Sequence, residues 1–236
     1  MVYYTEYKDI GQRDYKETWD LQAEIFNKLL ESKKQAVRGD EDDQNKLPGT
    51  LIFVEHPHVY TLGKSGSEAN LLIDTVKLRA RDAVFYKIDR GGDITYHGPG
   101  QIVGYPIFDL EALGIGMKEY ISRLEEAVIM TVEAFGLKAS RLKGATGVWL
   151  DADSIGNARK ICAIGVKASR YVTMHGFAFN VNTDLSYFNN INPCGFTDKG
   201  VTSLQKETGK KQDMEYVKGL VKSSLRKVFD LEWINI

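Results

Sequence analysis

The chain has 236 residues, of which 43% are hydrophobic and 27% charged, with a formal net charge of −1. This balance supports a buried core and argues against both a disordered chain and a polyanion-binding surface, so no nucleic-acid partner is expected. Two cysteines are too few for a disulfide framework, no apolar run approaches a membrane span, and the start MVYYTEYKDIG lacks a signal-peptide pattern, so a cytoplasmic protein without membrane attachment is expected.

Val2 to Tyr7 alternates and is β-prone, which predicts a strand. From Arg13, the apolar residues Tyr15, Trp19, Ala23, Phe26 and Leu30 recur at helical spacing to about Lys34. Residues 31–48 carry many charges and almost no large apolar side chains, which predicts an exposed insertion within a single domain spanning 1–236. LIFVEHP, VFYKI and QIVGYPIF follow as short strands. Met117 to Phe135 is a helix with Tyr120, Leu124, Ala127, Val128 and Thr131 on one face and Gly136 at its C-terminal cap. TGVWL, KICAIGVK and GFAFNVN are further strands, and Tyr216, Leu220, Leu225 and Phe229 mark a final amphipathic helix after Asp213. Strands gathered in the middle with helices between and at the ends predict an α+β or mixed α/β fold.

The stretch RGGDITYHGPGQ, Arg90 to Gln101, puts four glycines between two strands. Glycine costs entropy in ordered chain, so this density is expected where backbone passes close to something. A dinucleotide fingerprint needs a helix directly after its glycines, and here a strand follows; no GxxxxGK[ST] phosphate loop occurs either. Arg90, Thr95 and His97 arm the loop and set it apart from an ordinary turn.

NINPCGF places Cys194 between a proline that fixes φ and a glycine that frees the backbone, a turn suited to presenting a thiol. Cys162 lies inside KICAIGV, where a buried small thiol is the default. A cysteine attacks as its thiolate and needs a base or a positive field. The candidates are four histidines (56, 58, 97 and 175) and Lys160, which opens an apolar strand where desolvation would favour a neutral amine. A zinc site drawn from His56, His58, His97, His175 and Cys194 is the rival use of these groups, but no CxxC or HExxH spacing supports it.

RGGDITYHGPGQIVGYPI closely resembles the signature of the octanoyltransferase family, the lipoyl(octanoyl) transferases. The resemblance continues in the family's order through RKICAIGVKAS, HGFAFNVNTDL and INPCGF and covers about Gly49 to Ser203; the charged insertion is the departure from it. It implies the fold of biotin and lipoate protein ligases, a central mixed sheet flanked by helices. It also implies transfer of octanoyl from octanoyl-acyl carrier protein to a lysine of lipoyl domains, in 2-oxoacid dehydrogenases and the glycine cleavage H protein. The family's nucleophilic cysteine falls on Cys194 and its paired lysine on Lys160. Its acyl-binding segments fall on Arg90, Gly91, Gly92, Asp93, Ile94, Thr95, Tyr96 and His97, on Ala163, Ile164 and Gly165, and on Gly176, Phe177 and Ala178. Gly91, Gly92, Gly165 and Gly176 are then expected to let backbone press against the acyl methylenes. No cofactor or metal is implied, because both acyl bonds before the final amide are thioesters. Three rivals stand beside this reading. One is an ATP-dependent lipoate–protein ligase on the same fold, another a non-catalytic carrier-protein binding module. The third is the same reaction with Cys162, two residues from Lys160, as the nucleophile.

Overall fold

A computed structural model describes residues 2–38, 47–154, 156–192 and 199–234. Its first elements are β1 (Tyr3–Gln12), α1 (Tyr15–Arg38), β2 (Gly49–Glu55) and β3 (Val59–Leu62). After a short helix α2 (Thr75–Ala80) come β4 (Val84–Lys87), β5 (Ile94–His97) and β6 (Gln101–Ile107). The second half holds α3 (Met117–Glu133), β7 (Ala139–Leu142), β8 (Ala145–Leu150), β9 (Arg159–Ser169) and β10 (Val172–Asn180). A 3₁₀ turn (Leu185–Asn190), β11 (Gly200–Val201), α4 (Leu204–Thr208), α5 (Met214–Phe229) and β12 (Leu231–Ile234) complete the described chain.

Among the described residues the large sheet runs β12-β1-β2-β6-β10-β9-β8-β7, with β11 added beside β9. β1 pairs parallel with both neighbours, and β2 through β7 pair antiparallel, which makes the sheet mixed. The run LIFV explains why it is covered on both sides. Leu51 and Phe53 join a core with α3 and α5, whereas Ile52 and Val54 meet Phe26 and Leu29 of α1 on the other face. A strand buried on both faces reads as a continuous apolar run rather than an alternation. The expected mixed sheet flanked by helices is thus the observed architecture. A small sheet, β4-β3-β5, stands beside the large one.

Several elements differ from the sequence expectations. The helix expected to end near Lys34 continues to Arg38, so the first part of the expected insertion is helical; Lys33 in that turn holds Asp109 and Glu111 across the sheet edge. Residues 39–46 of that segment lie outside the described chain. The final helix buries Val217, Val221, Leu225 and Phe229, while Tyr216 is 59% exposed. The true stripe sits one residue later at its start because Val217 and Val221, in register with Leu225 and Phe229 at four-residue spacing, are the ones that pack on the core; Asp213 caps the helix through the N–H groups of Glu215 and Tyr216. The glycine stretch is two turns, not one loop, since Ile94–His97 forms β5 within it. No helix of the described residues is long and apolar enough to cross a membrane.

One buried carboxylate ties the helix layer to the strand that borders the cavity described below. Glu125 of α3 accepts from the backbone N–H of Gly147 at 3.0 Å and from Arg141 Nε at 3.1 Å. Glu125→Ala leaves both donors short of a partner, and a loss of about 1–3 kcal/mol in urea-unfolding stability is expected. Retention of full stability would show that α3 is held by its apolar face alone.

Candidate active site

The glycine turn docks on β9 by backbone alone. Gly91 N–H donates to Val166 O at 2.8 Å, while Lys64 N–H and Ser65 N–H, from the turn after β3, donate to Arg90 O and Gly92 O at 3.0 and 3.2 Å. Between this turn, β9 and β10 lies a cavity of about 450 Å³, in the range of small-molecule sites. It is bordered by Arg90, Gly91, Gly92, Asp93, Ile94, Thr95 and His97, by Lys160, Ala163, Ile164 and Gly165, and by Gly176, Phe177 and Ala178. All three sequence segments therefore converge on one site.

Tyr96 is the exception. Its ring packs against Tyr187 at 4.9 Å and its hydroxyl bonds His58 Nδ1 at 2.7 Å, away from the cavity. Alternation along β5 turns Thr95 and His97 inward and Tyr96 outward. Cys194 lies within residues 193–198, outside the described residues.

The glycines serve a different contact from the one expected of them. A Cβ on Gly165 would lie 2.9 Å from Gly91 O, and one on Gly176 would collide with Gly104 O of β6. The clearance is taken up by neighbouring protein backbone, so these glycines allow the strands and the turn to close together around the cavity. Arg90 is buried and structural in the same sense: Nη2 donates to Thr61 O and Oγ1 at 2.8 and 3.0 Å, and Nη1 to Gly91 O at 3.0 Å.

His97 does not touch Lys160, but a chain of hydrogen bonds leads toward it. Gln101 Nε2 donates to Tyr96 O and to Asn180 Oδ1, so its Oε1 must accept from His97 Nδ1 at 2.9 Å. Asn180 Nδ2 donates to Thr202 O, and Thr202 N–H donates to Lys160 O at 2.9 Å. This fixes the neutral Nδ1–H tautomer of His97 and leaves Nε2 to accept from the Thr61 hydroxyl at 3.5 Å. Burial, with the nearby His56, pushes the His97 pKa down to about 3. His56 bonds Arg13 O and Tyr105 Oη at 2.8 Å each, and burial lowers its pKa to about 4. His58 spends both ring nitrogens on Tyr96 and Tyr187. Of the set weighed for zinc, His56, His58 and His97 spend ring nitrogens on these protein partners, and Cys194 lies outside the described residues.

Sequence reasoning passed over Trp149 and Lys199, which also border the cavity, as does His175, one of the four histidines weighed as a base. His175 has a φ of 62° and bonds Asp89 Oδ1 through Nε2 at 3.0 Å. Burial lowers its pKa to about 4, against the pull of Asp89. For Asp89 itself burial works upward, yet bonds from His175 and Lys167 hold its carboxyl below the usual range. The signal for His175 was its place directly before the glycine of HGFAFN; Trp149 and Lys199 carried none. Cys162 is fully buried in the core on the α3 side, where desolvation pushes its thiol pKa up. It does not border the cavity.

The three buried imidazoles set a pH dependence of stability. In the unfolded chain each titrates near about 6.5, whereas in the fold His56, His97 and His175 titrate near 4, 3 and 4. Between these limits the unfolded state binds more protons. The stabilisation is therefore fully present above pH 6.5 and is lost as pH falls, by up to about 1.4 kcal/mol per pH unit for each histidine. Urea-unfolding free energies measured from pH 7.5 to 4.5 check this, and His56→Gln should flatten the slope.

Residues 14–226 match the family model described as the lipoyl protein ligase A/B catalytic domain. A protein of Parabacteroides distasonis named Octanoyltransferase is 56% identical over 94% of this chain and 96% of its own length. Among solved structures, the bipartite lipoate protein ligase of Thermoplasma acidophilum superposes with a TM-score of 0.68 at 12% identity, over 99% of this chain and 87% of that one. A lipoate-protein ligase A structure bound with ATP gives the same TM-score of 0.68 at 12% identity, covering 100% of this chain and 89% of that one. At such identity these two likenesses concern the fold.

Proposed function

Because the chain belongs to the family of lipoyl protein ligase A/B catalytic domains, we propose that it is an octanoyltransferase, moving octanoyl from octanoyl-acyl carrier protein to a lysine of a lipoyl domain. Lipoyl domains of 2-oxoacid dehydrogenases and the glycine cleavage H protein are the acceptors, and the cytoplasm is the place of reaction. The observation that carries this reading is the cavity itself. It combines an amine at Lys160 with a wall of Ala163, Ile164, Val166, Phe177 and Ala178 suited to an alkyl chain. Burying about seven methylenes contributes several kcal/mol, at about 0.8 kcal/mol each.

In this reading Cys194 is the nucleophile. Lys160 accepts its thiol proton, and the thiolate attacks the thioester carbonyl of the donor. The carrier's phosphopantetheine sulfur leaves and takes the proton back from the Lys160 ammonium. The lipoyl-domain amine then attacks the acyl-cysteine, the cysteine sulfur departs, and the amine's proton is relayed by the same pair. Every acyl bond broken is a thioester, so no ATP and no metal enters. Lys160 is supported by its position at the cavity and by the pairing of β9 with β11, where Val201 lies opposite Lys160. The burial of Cys162 supports Cys194 as the thiol that reacts.

Intact mass of enzyme mixed with octanoyl-acyl carrier protein alone should show one octanoyl adduct, lost in Cys194→Ala and kept in Cys162→Ala. Transfer to a lipoyl domain should fall at least about 10³-fold in Cys194→Ala and in Lys160→Ala. Undiminished turnover by Cys194→Ala, or a requirement for ATP and free acid, would replace this reading with that of a ligase.

A further inference from the structure

Lys160 does not lie in a purely apolar setting. Across the β8–β9 pair its register partner is Trp149, and Lys160 Nζ sits 4.6 Å from the centre of that ring. The separation is inside the range of about 6 Å over which an aromatic face attracts a cation. Trp149 is 2% exposed, and its Nε1–H donates to Ala145 O at 3.1 Å, which fixes the rotation of the indole and holds its face toward the amine. The ring also borders the cavity.

Two further features keep this geometry. The β8–β9 register slips between Val148 and Trp149, so the tryptophan opposes Lys160 while Val148 opposes Cys162. Gly147, at φ +121°, stands beside the lysine stem: a Cβ there would lie 3.4 Å from Lys160 Cε and would meet the carbonyl oxygen of Cys162. The hydrogen bond from Gly147 N–H to the buried Glu125 carboxylate holds that part of β8 in place.

We propose that Trp149 is a positioning residue whose indole face receives the Lys160 ammonium and fixes its place at the cavity wall. The proposal rests on the reading of Lys160 as the group that takes and returns the proton. When Lys160 accepts a proton the new charge appears over the ring, so the ring favours the ion pair over the neutral pair. Among the described residues, the titratable groups around the amine include Cys162 two residues along β9, Glu125 behind β8, and Lys199, His97, His175, Asp93 and Arg90, which share the cavity. Arg159, next in sequence, is engaged by Glu207 and Asp151.

The test reads the lysine directly. Competitive acetylation at a series of pH values, followed by mass spectrometry of the Lys160 peptide, gives the pKa of that amine without using activity. Removing the ring's quadrupole while keeping apolar bulk, as in Trp149→Leu, should lower this pKa by about half a pH unit or more. Trp149→Phe should fall between, and mono-, di- and trifluorotryptophan in the full-length protein should shift it in graded steps. The alkaline limb of kcat/KM for transfer should move down by the same amount, with KM for the carrier-protein donor within about twofold of wild type. An unchanged Lys160 pKa across the leucine, phenylalanine and fluorinated proteins overturns the proposal, even if turnover falls, because packing alone then accounts for Trp149. Should Trp149→Leu fail to fold, the fluorinated series decides by the same criterion. If Lys160→Ala keeps full transfer while the pKa shifts are found, the lysine's assigned role fails and the contact with Trp149 stands.

Discussion

The contact on which the site depends is a backbone one, between the Gly91 turn and β9. The 2.8 Å bond from Gly91 N–H to Val166 O and the close approach of Gly91 O to Gly165 hold two segments together that are distant in the chain. Side chains would keep them apart. With both glycines in place, the turn closes one side of the cavity while β10, itself pressed against β6 through Gly176 and Gly104, closes another. Arg90 locks the turn by giving its guanidinium to Thr61 and Gly91, so a buried cation acts here as a brace for backbone carbonyls.

Electrostatics follow from that closure. Three histidines lie buried and neutral, His97 and His175 at the cavity and His56 beside His97, and their hydrogen bonds give each a defined partner. The line from His97 through Gln101 and Asn180 to Thr202 ends on the backbone of Lys160, so the loop bearing the arginine and the strand bearing the lysine share one polar network. Such a network favours one arrangement of both segments, since breaking any member leaves a buried group without its partner.

The four motifs were legible in sequence because each is local, and three of them fall entirely within the described chain. The fold class was legible too, from strands gathered between helices. What escaped was whatever depends on pairing between distant segments. Trp149 looked like an ordinary strand residue because a register slip, invisible in one strand read alone, decides that it faces Lys160. Tyr96 was grouped with its loop neighbours because the glycines hid a four-residue strand whose alternation turns it outward. β12 pairs with β1 over four residues only, too short a run to announce itself beside a long helix. The burial stripe of α5 was misplaced at its start because Tyr216 and Leu220 are apolar enough to pass for core, and only packing against the other elements shows that Val217 and Val221 are buried instead.

The glycines of the cavity wall have an implication for redesign. Since Gly165 and Gly176 already face neighbouring chain, any bulk added there presses on the scaffold rather than into the cavity. On the proposed reading, room for longer or branched chains has to come from trimming side chains at the cavity wall, such as Ile121 of α3 or Phe188 of the 3₁₀ turn, which also pack on the two cores. Breadth and scaffold integrity are thus coupled at these positions, since each side chain trimmed to open the space also gives up a packing contact.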